Sequence, residues 1–172
     1  MRVLTIALAT VVASLAPALR QDTTPIVTEG VVQAPVAAVW KAWTTSEGLR
    51  AWLAPHAEID LRIGGLMRTN YDRDGRLGDA RTIENTILSF EPGRMLSIRV
   101  AKFPRDFPFP NAIGDMWTVM YFEPAGDDRT RLRIVGLGFR TDEESQKMRA
   151  FFERGNAVTL QQLQSHFTGT AR

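Results

Sequence analysis

The chain has 172 residues, of which 44% are hydrophobic and 23% are charged, so it can form one packed domain and has little room for two. Its formal charge is +2, from 21 lysines and arginines against 19 acidic residues, and it lacks the clustered basic face that nucleic-acid binding requires. It contains no cysteine, which excludes disulfides, thiolate metal sites and cysteine nucleophiles.

The first 21 residues have the pattern of an export signal. Arg2 precedes an apolar run from Val3 to Leu15, and Ala16-Pro17-Ala18 places small residues where a signal peptidase cleaves. The run is too short to cross a bilayer, which takes about 20 apolar residues. We therefore expect a signal peptide over residues 1–18, ending at the latest near residue 21, and a periplasmic or secreted protein without a stable membrane span. An uncleaved amphipathic helix or a misassigned start codon are the alternatives.

The next segment predicts one strand followed by two short helices. Ile26–Gln33 is rich in β-branched residues and predicts the strand. Pro35 suits the first turn of a helix whose apolar stripe includes Trp40 and Trp43, which we interpret as core residues. Thr45 or Ser46 can cap a second helix over Ser46–Leu53.

The apolar period then changes from helical to alternating. In Ala57–Ile63 the residues Ile59, Leu61 and Ile63 alternate with charged ones, which predicts a strand with one buried face. Both faces of one later strand, Asp115–Phe122, are apolar, so either the strand is covered on both sides or its register differs by one residue. The other predicted strands are Leu66–Tyr71, Arg81–Phe90, Met95–Phe103 and Thr130–Leu137.

A proline-rich segment, 102–114, separates two of these strands and predicts a long loop, because proline is excluded from interior strands. It carries Phe103, Phe107 and Phe109, and exposed apolar groups of this kind need a partner. Two hypotheses follow. The three rings form a lid over a cavity or a docking tip, or the prolines fold the loop back and bury the rings.

The last element is a long helix over Asp142–Phe167, with Thr141 or Asp142 as its cap. Gly155 interrupts its pattern, and we expect the helix to kink there or to approach a neighbouring backbone closely. The element order predicts an α+β fold in which a curved antiparallel sheet of about six to seven strands packs against two short helices and one long C-terminal helix.

This order, together with several local strings, resembles the SRPBCC superfamily (START-like or helix-grip proteins), and in particular the branch named after the activator of the ninety-kilodalton heat-shock-protein ATPase (AHSA-like). The resemblance implies a single helix-grip domain over residues 26–167, commonly with a cavity between the sheet and the long helix. It implies no particular reaction, because members of the superfamily bind, transport, cyclise or assist chaperones on one scaffold. The strings are APVAAVWKAWTTSEGLRAWLAP (Ala34–Pro55), AEIDLRIGG (Ala57–Gly65), ILSFEPGRMLSIRV (Ile87–Val100) and TRLRI (Thr130–Ile134).

Alternation along the strands and spacing along the helix predict which side chains face inward. An apolar pocket lined by these residues is the usual character of a small-molecule site. The alternative is a solid core at normal packing density. The predicted lining residues are Met67, Tyr71, Ile98, Val100, Leu132 and Ile134 from the strands, with Phe152 and Leu160 from the helix.

Three functional hypotheses remain at this point. The first is an exported protein that binds an apolar or amphipathic small molecule. The second is an enzyme of cyclase or hydrolase type in the same cavity, which would need a polar pair chosen from Tyr71, Arg68 and His56. The third is a module that binds a protein partner. The sequence predicts no catalytic constellation, no metal site and no cofactor, and it leaves the oligomeric state open.

The export hypothesis is tested by N-terminal sequencing of the protein recovered outside the cytoplasm. We expect the mature chain to begin after Ala18, within about three residues. A recovered protein that still begins with Met1 would contradict the hypothesis.

Overall fold

The structure, a computed structural model, describes residues 23–169. The predicted signal peptide lies outside the described residues. Seven strands form one sheet in the order β1-β7-β6-β5-β4-β3-β2, and every neighbouring pair is antiparallel. The strands are β1 (Ile26–Val32), β2 (His56–Ile59), β3 (Leu66–Asn70), β4 (Ile83–Glu91), β5 (Met95–Lys102), β6 (Trp117–Pro124) and β7 (Thr130–Leu137).

Within residues 23–169, three α-helices accompany the sheet: α1 (Val36–Thr44), α2 (Ser46–Trp52) and α3 (Glu143–Thr168), with one 3-10 turn at Ile113–Asp115. Side-chain hydrogen bonds cap the first turns of α2 and α3. The Thr45 side chain accepts a hydrogen bond from the Gly48 amide and caps α2. The Asp142 side chain does the same for the Ser145 amide at the start of α3. The predicted α+β helix-grip fold is confirmed.

The C-terminal half of α3 packs tightly on the inner face of the sheet. Leu160 and Leu163 belong to the main core, and Leu163 has no exposed surface. A Cβ atom at Gly30 in β1 would lie 2.8 Å from Leu160 Cδ2, so the missing side chain at Gly30 lets the helix approach the strand. Gln164 Nε2 then reaches the Val31 carbonyl at 2.9 Å. This end of the space between helix and sheet is filled.

α3 is one continuous helix through Gly155, where a kink or a close approach to a neighbouring backbone was expected. α3 continues through this residue, and a Cβ atom placed there would meet no other atom within 4 Å. Close approach to a neighbouring backbone is therefore not the reason for this glycine. That alternative was wrong because a glycine in a helical pattern gives no information about the space around it.

The second strand is shorter than its alternation predicted. β2 ends at Ile59, and Ile63 is 70% exposed, so the prediction that Ile63 points inward was wrong. The chain turns early because Gly65 sits against the Asp60 carbonyl oxygen, which would lie 2.1 Å from a Cβ atom there. Gly64 beside it adopts φ 77°, a conformation that favours glycine.

The two apolar faces of β6 are both covered, without a shift in register. On the inner face, Met120 and Phe122 are buried. On the outer face, the Arg133 guanidinium lies 5.3 Å from the centre of the Tyr121 ring. A cation above an aromatic face is attracted by the ring's electrons, so this arginine covers apolar surface that would otherwise contact water.

The packing of α3 on the sheet can be tested by removing one fully buried side chain. We expect Leu163→Ala to lower the free energy of unfolding by about 2–5 kcal/mol, because it leaves a void that the core does not refill. Urea unfolding followed by circular dichroism measures this. Gln161→Ala, at an exposed position of the same helix, is the control and should change stability by less than about 0.5 kcal/mol. Equal effects of the two substitutions would contradict the packing described here.

Candidate functional site

A cavity of about 410 Å³, partly open to the surface, lies between the inner face of the sheet, the 102–114 loop and the middle of α3. Most of its lining is apolar. The apolar side chains are Met67, Ile83, Ile98, Val100, Trp117, Met120 and Ile134 from the sheet, Trp43 from α1, Leu53 from the end of α2, Phe103, Pro104, Phe107, Pro108 and Ile113 from the loop, Met116 just after it, and Phe151 and Phe152 from α3.

The structure brings six of the eight predicted lining residues to this cavity, namely Met67, Tyr71, Ile98, Val100, Ile134 and Phe152. It places Leu132 and Leu160 elsewhere, in the main core. Both of these residues face inward, as their spacing predicted. They lie at the end of the sheet where α3 packs directly on β1, so no open space remains beside them.

The loop phenylalanines form a connected row of rings. Phe103 and Phe107 line the cavity, whereas Phe109 does not. Phe109 packs instead on Phe107 at 5.6 Å and on Phe151 of α3 at 5.7 Å between ring centres. All three loop rings are half-buried. The loop therefore folds against the helix and covers the cavity, so it combines features of the two alternatives, a lid and a buried segment.

Sequence reasoning missed several cavity residues. Trp43 belongs to the main core, as its spacing indicated, but it also lines the cavity, and its ring packs on Trp52 at 4.8 Å. Asn156 and Thr159 line the cavity together with Phe152. Their spacing of four and seven residues from Phe152 places them on one face of α3, and this spacing is the signal that could have identified them. The remaining polar lining residues are Thr69, Asn85, Asp106 and Thr118.

Tyr71 contributes its phenol at the edge of the cavity. Although 55% of the residue surface is exposed, desolvation of the hydroxyl raises the pKa of Tyr71, and a hydrogen bond with the Thr69 side chain offsets this in part. The phenol therefore stays protonated at neutral pH and acts as a hydrogen-bond donor or acceptor. It is poorly suited to remove a proton from a substrate.

The polar pair required by the enzymatic hypothesis is not formed from the three residues named for it. Arg68 alternates with the cavity residues of β3, so it lies on the opposite face of the sheet, where its Nη1 donates to Glu58 at 2.6 Å. His56 Nε2 lies 3.1 Å from the Arg73 carbonyl oxygen. Of the three, Tyr71 alone lines the cavity.

Residues 23–169 contain neither a metal-binding cluster nor a membrane-spanning helix. No cluster of three or more histidine, aspartate or glutamate side chains in this range is arranged to hold a metal ion. No helix in the same range has the length and hydrophobicity needed to cross a membrane.

Comparison with solved structures shows that the fold is widespread. Protein MLL2253 from Mesorhizobium loti is 19% identical, with a TM-score of 0.64 over 87% of this chain and 100% of that chain. The Aha1 dimer from Colwellia psychrerythraea is 16% identical, with a TM-score of 0.62 over 84% and 96%. CalU16 from Micromonospora echinospora is 22% identical, with a TM-score of 0.58 over 86% and 76%. Identities this low establish a shared fold and nothing finer.

No curated protein matches the chain. A family profile does: the family described as Activator of Hsp90 ATPase homolog 1-like protein matches residues 33–168. The fold of this family commonly binds ligands or protein partners. Because the match spans most of the sequence and the fold agrees with it, the chain belongs to the Activator of Hsp90 ATPase homolog 1-like family, within the SRPBCC superfamily.

Proposed function

We propose that the protein is an exported binding protein that holds an apolar or amphipathic small molecule between the sheet, the 102–114 loop and α3. The observation that carries the proposal is the cavity of about 410 Å³ with its mostly apolar lining. This volume lies within the range of small-molecule sites, which is about 300–1,000 Å³. The export part of the proposal is supported by the pattern of residues 1–18 alone.

The lining can supply the free energy that such binding needs. A ligand that removes about 200 Å² of its apolar surface from water gains about 5 kcal/mol, at about 25 cal/mol per Å². Part of this gain is offset by the lost translational freedom of the ligand. The rings of Phe107, Phe151 and Phe152 offer large, rigid contact surfaces for this purpose.

The loop that covers the cavity is anchored to α3 by one carboxylate. Glu144 Oε1 accepts hydrogen bonds from the Asn111 amide at 2.8 Å and from the Ala112 amide at 3.3 Å. Its other oxygen accepts from Asn111 Nδ2 at 3.0 Å. The side-chain bond from Asn111 and the two backbone bonds lower the pKa of Glu144. We infer that this carboxylate keeps the lid closed over a bound molecule.

The proposed binding is tested with the neutral dye N-phenyl-1-naphthylamine, whose fluorescence rises in apolar surroundings. We expect saturable binding to the wild-type protein, and at least about tenfold weaker binding to the Phe103→Ser/Phe107→Ser variant, since a loss of about 1.4 kcal/mol is a factor of ten. Val27→Ser/Val31→Ser, which changes two exposed valines of β1, is the control and should bind like the wild type. Unchanged dye binding in a folded Phe103→Ser/Phe107→Ser variant would contradict the proposal.

The lid anchor is tested by hydrogen exchange at neutral pH. In Glu144→Ala we expect the amides of Asn111 and Ala112 to exchange severalfold faster, because both lose their acceptor. Glu143→Ala is the control, since Glu143 pairs only along its own helix, with Lys147 at 2.6 Å. Equal exchange in both variants would show that Glu144 does not hold the loop.

The same anchor predicts a dependence on pH. The pKa of Glu144 is lower in the closed loop than in a free chain, so the anchor is fully formed above the ordinary glutamate pKa of about 4.3 and is lost as the pH falls below it. Wild-type exchange at Asn111 and Ala112, corrected for the intrinsic pH dependence of amide exchange, should therefore rise toward that of Glu144→Ala in acid.

A further inference from the structure

Two residues of the cavity lining each carry a buried hydrogen-bond donor that has no acceptor within the described part of the protein. Within the part of the chain that the structure describes, neither Trp43 Nε1 nor Asn156 Nδ2 has a hydrogen-bond partner, and neither atom is exposed to solvent. Both residues line the cavity, and Trp43 is only 5% exposed. Buried polar groups in proteins are nearly always paired, so a pair of unpaired donors in one cavity indicates that something else supplies the acceptor.

The neighbouring tryptophan shows that the absence of a partner is specific to Trp43. Trp52 packs edge-on against Trp43, and its own indole nitrogen donates to the Ala42 carbonyl at 3.1 Å. The two neighbouring indoles therefore differ in how their N–H groups are paired. One N–H is paired within the protein, and the other belongs to a side chain of the cavity wall.

The charges around the cavity limit what the acceptor can be. No lysine, arginine or histidine is among its lining residues in the described range, and the one charged lining residue is Asp106, an exposed acid of the loop. A carboxylate or phosphate placed here would lose its hydration without meeting a cation, which is strongly unfavourable. Neutral acceptors such as carbonyl or ether oxygens lose far less on transfer to such a site.

From these observations we propose that the ligand is an uncharged molecule with a mainly apolar body and carbonyl or ether oxygens that accept hydrogen bonds from Trp43 Nε1 and Asn156 Nδ2. This inference rests on the proposed binding function and specifies its ligand class. Anionic amphiphiles such as fatty acids are excluded from this class.

Three naphthalene probes of nearly equal size separate the effects of a neutral acceptor, an apolar group and a negative charge on binding. 2-Acetylnaphthalene carries a neutral carbonyl, 2-ethylnaphthalene carries no acceptor, and 2-naphthoate carries an anion. Equilibrium dialysis with the full protein measures the affinity for each. We expect the ketone to bind about 3- to 10-fold more tightly than the ethyl compound, as one or two net hydrogen bonds allow, and the naphthoate to bind most weakly.

Two substitutions test the named donors. Trp43→Phe and Asn156→Leu keep apolar bulk and remove one donor each, so each should reduce the preference for the ketone over the ethyl compound. Asn156→Leu keeps the test decisive if Trp43→Phe does not fold. Trp52→Phe is the control, because the N–H that it removes donates to Ala42, and it should leave the preference unchanged.

The measurements distinguish failure of the ligand class from failure of the binding function. Naphthoate binding as tightly as the ketone, or a ketone preference that survives both substitutions, would overturn the ligand class while leaving the binding function intact. Failure of all three probes to bind would overturn the proposed function itself, and the ligand class with it.

Discussion

The rest of the structure depends on how closely α3 approaches β1. Because Gly30 has no side chain, Leu160 packs directly against β1. The C-terminal half of α3 then fills the inner face of the sheet at this end. The N-terminal part of α3 is packed as well, since Met148 is fully buried in a second core cluster with Ile26 of β1. The cavity lies between these two packed ends, beneath the middle of α3 and the 102–114 loop.

The cavity combines abundant apolar surface with a few fixed polar groups, and these two features contribute differently to affinity and to selectivity. In the proposed binding, apolar contact with the phenylalanine rings supplies most of the affinity without selecting strongly among molecules of similar size. The donors of Trp43 and Asn156 contribute less free energy but penalise molecules that leave them unpaired. Such a site therefore favours molecules that can accept both hydrogen bonds. It disfavours anionic molecules, because no cation in its lining can pair with their charge.

The sequence alone predicted the elements and the inward direction of most side chains, because both follow from local periodicity. The cap at Asp142 was predictable for the same reason. Periodicity could not separate Ile134, which lines the cavity, from Leu132 two residues earlier in the same strand, which lies in the core. That difference depends on where a helix beginning at Glu143 crosses the sheet, which is a property of the assembled fold. The role of Trp43 was missed for a similar reason, since an indole without an acceptor is visible only when its surroundings are known.

The pairing of β1 with β7 has a consequence for how the chain acquires its structure. Ile26 lies opposite Gly136, and the Thr130 hydroxyl donates to the Ala34 carbonyl at 2.7 Å, so the earliest strand is completed only by the last one. Contacts between residues so distant in sequence slow folding, because a long loop must close before they form. A nascent chain of this design stays open until nearly all of it has been synthesised.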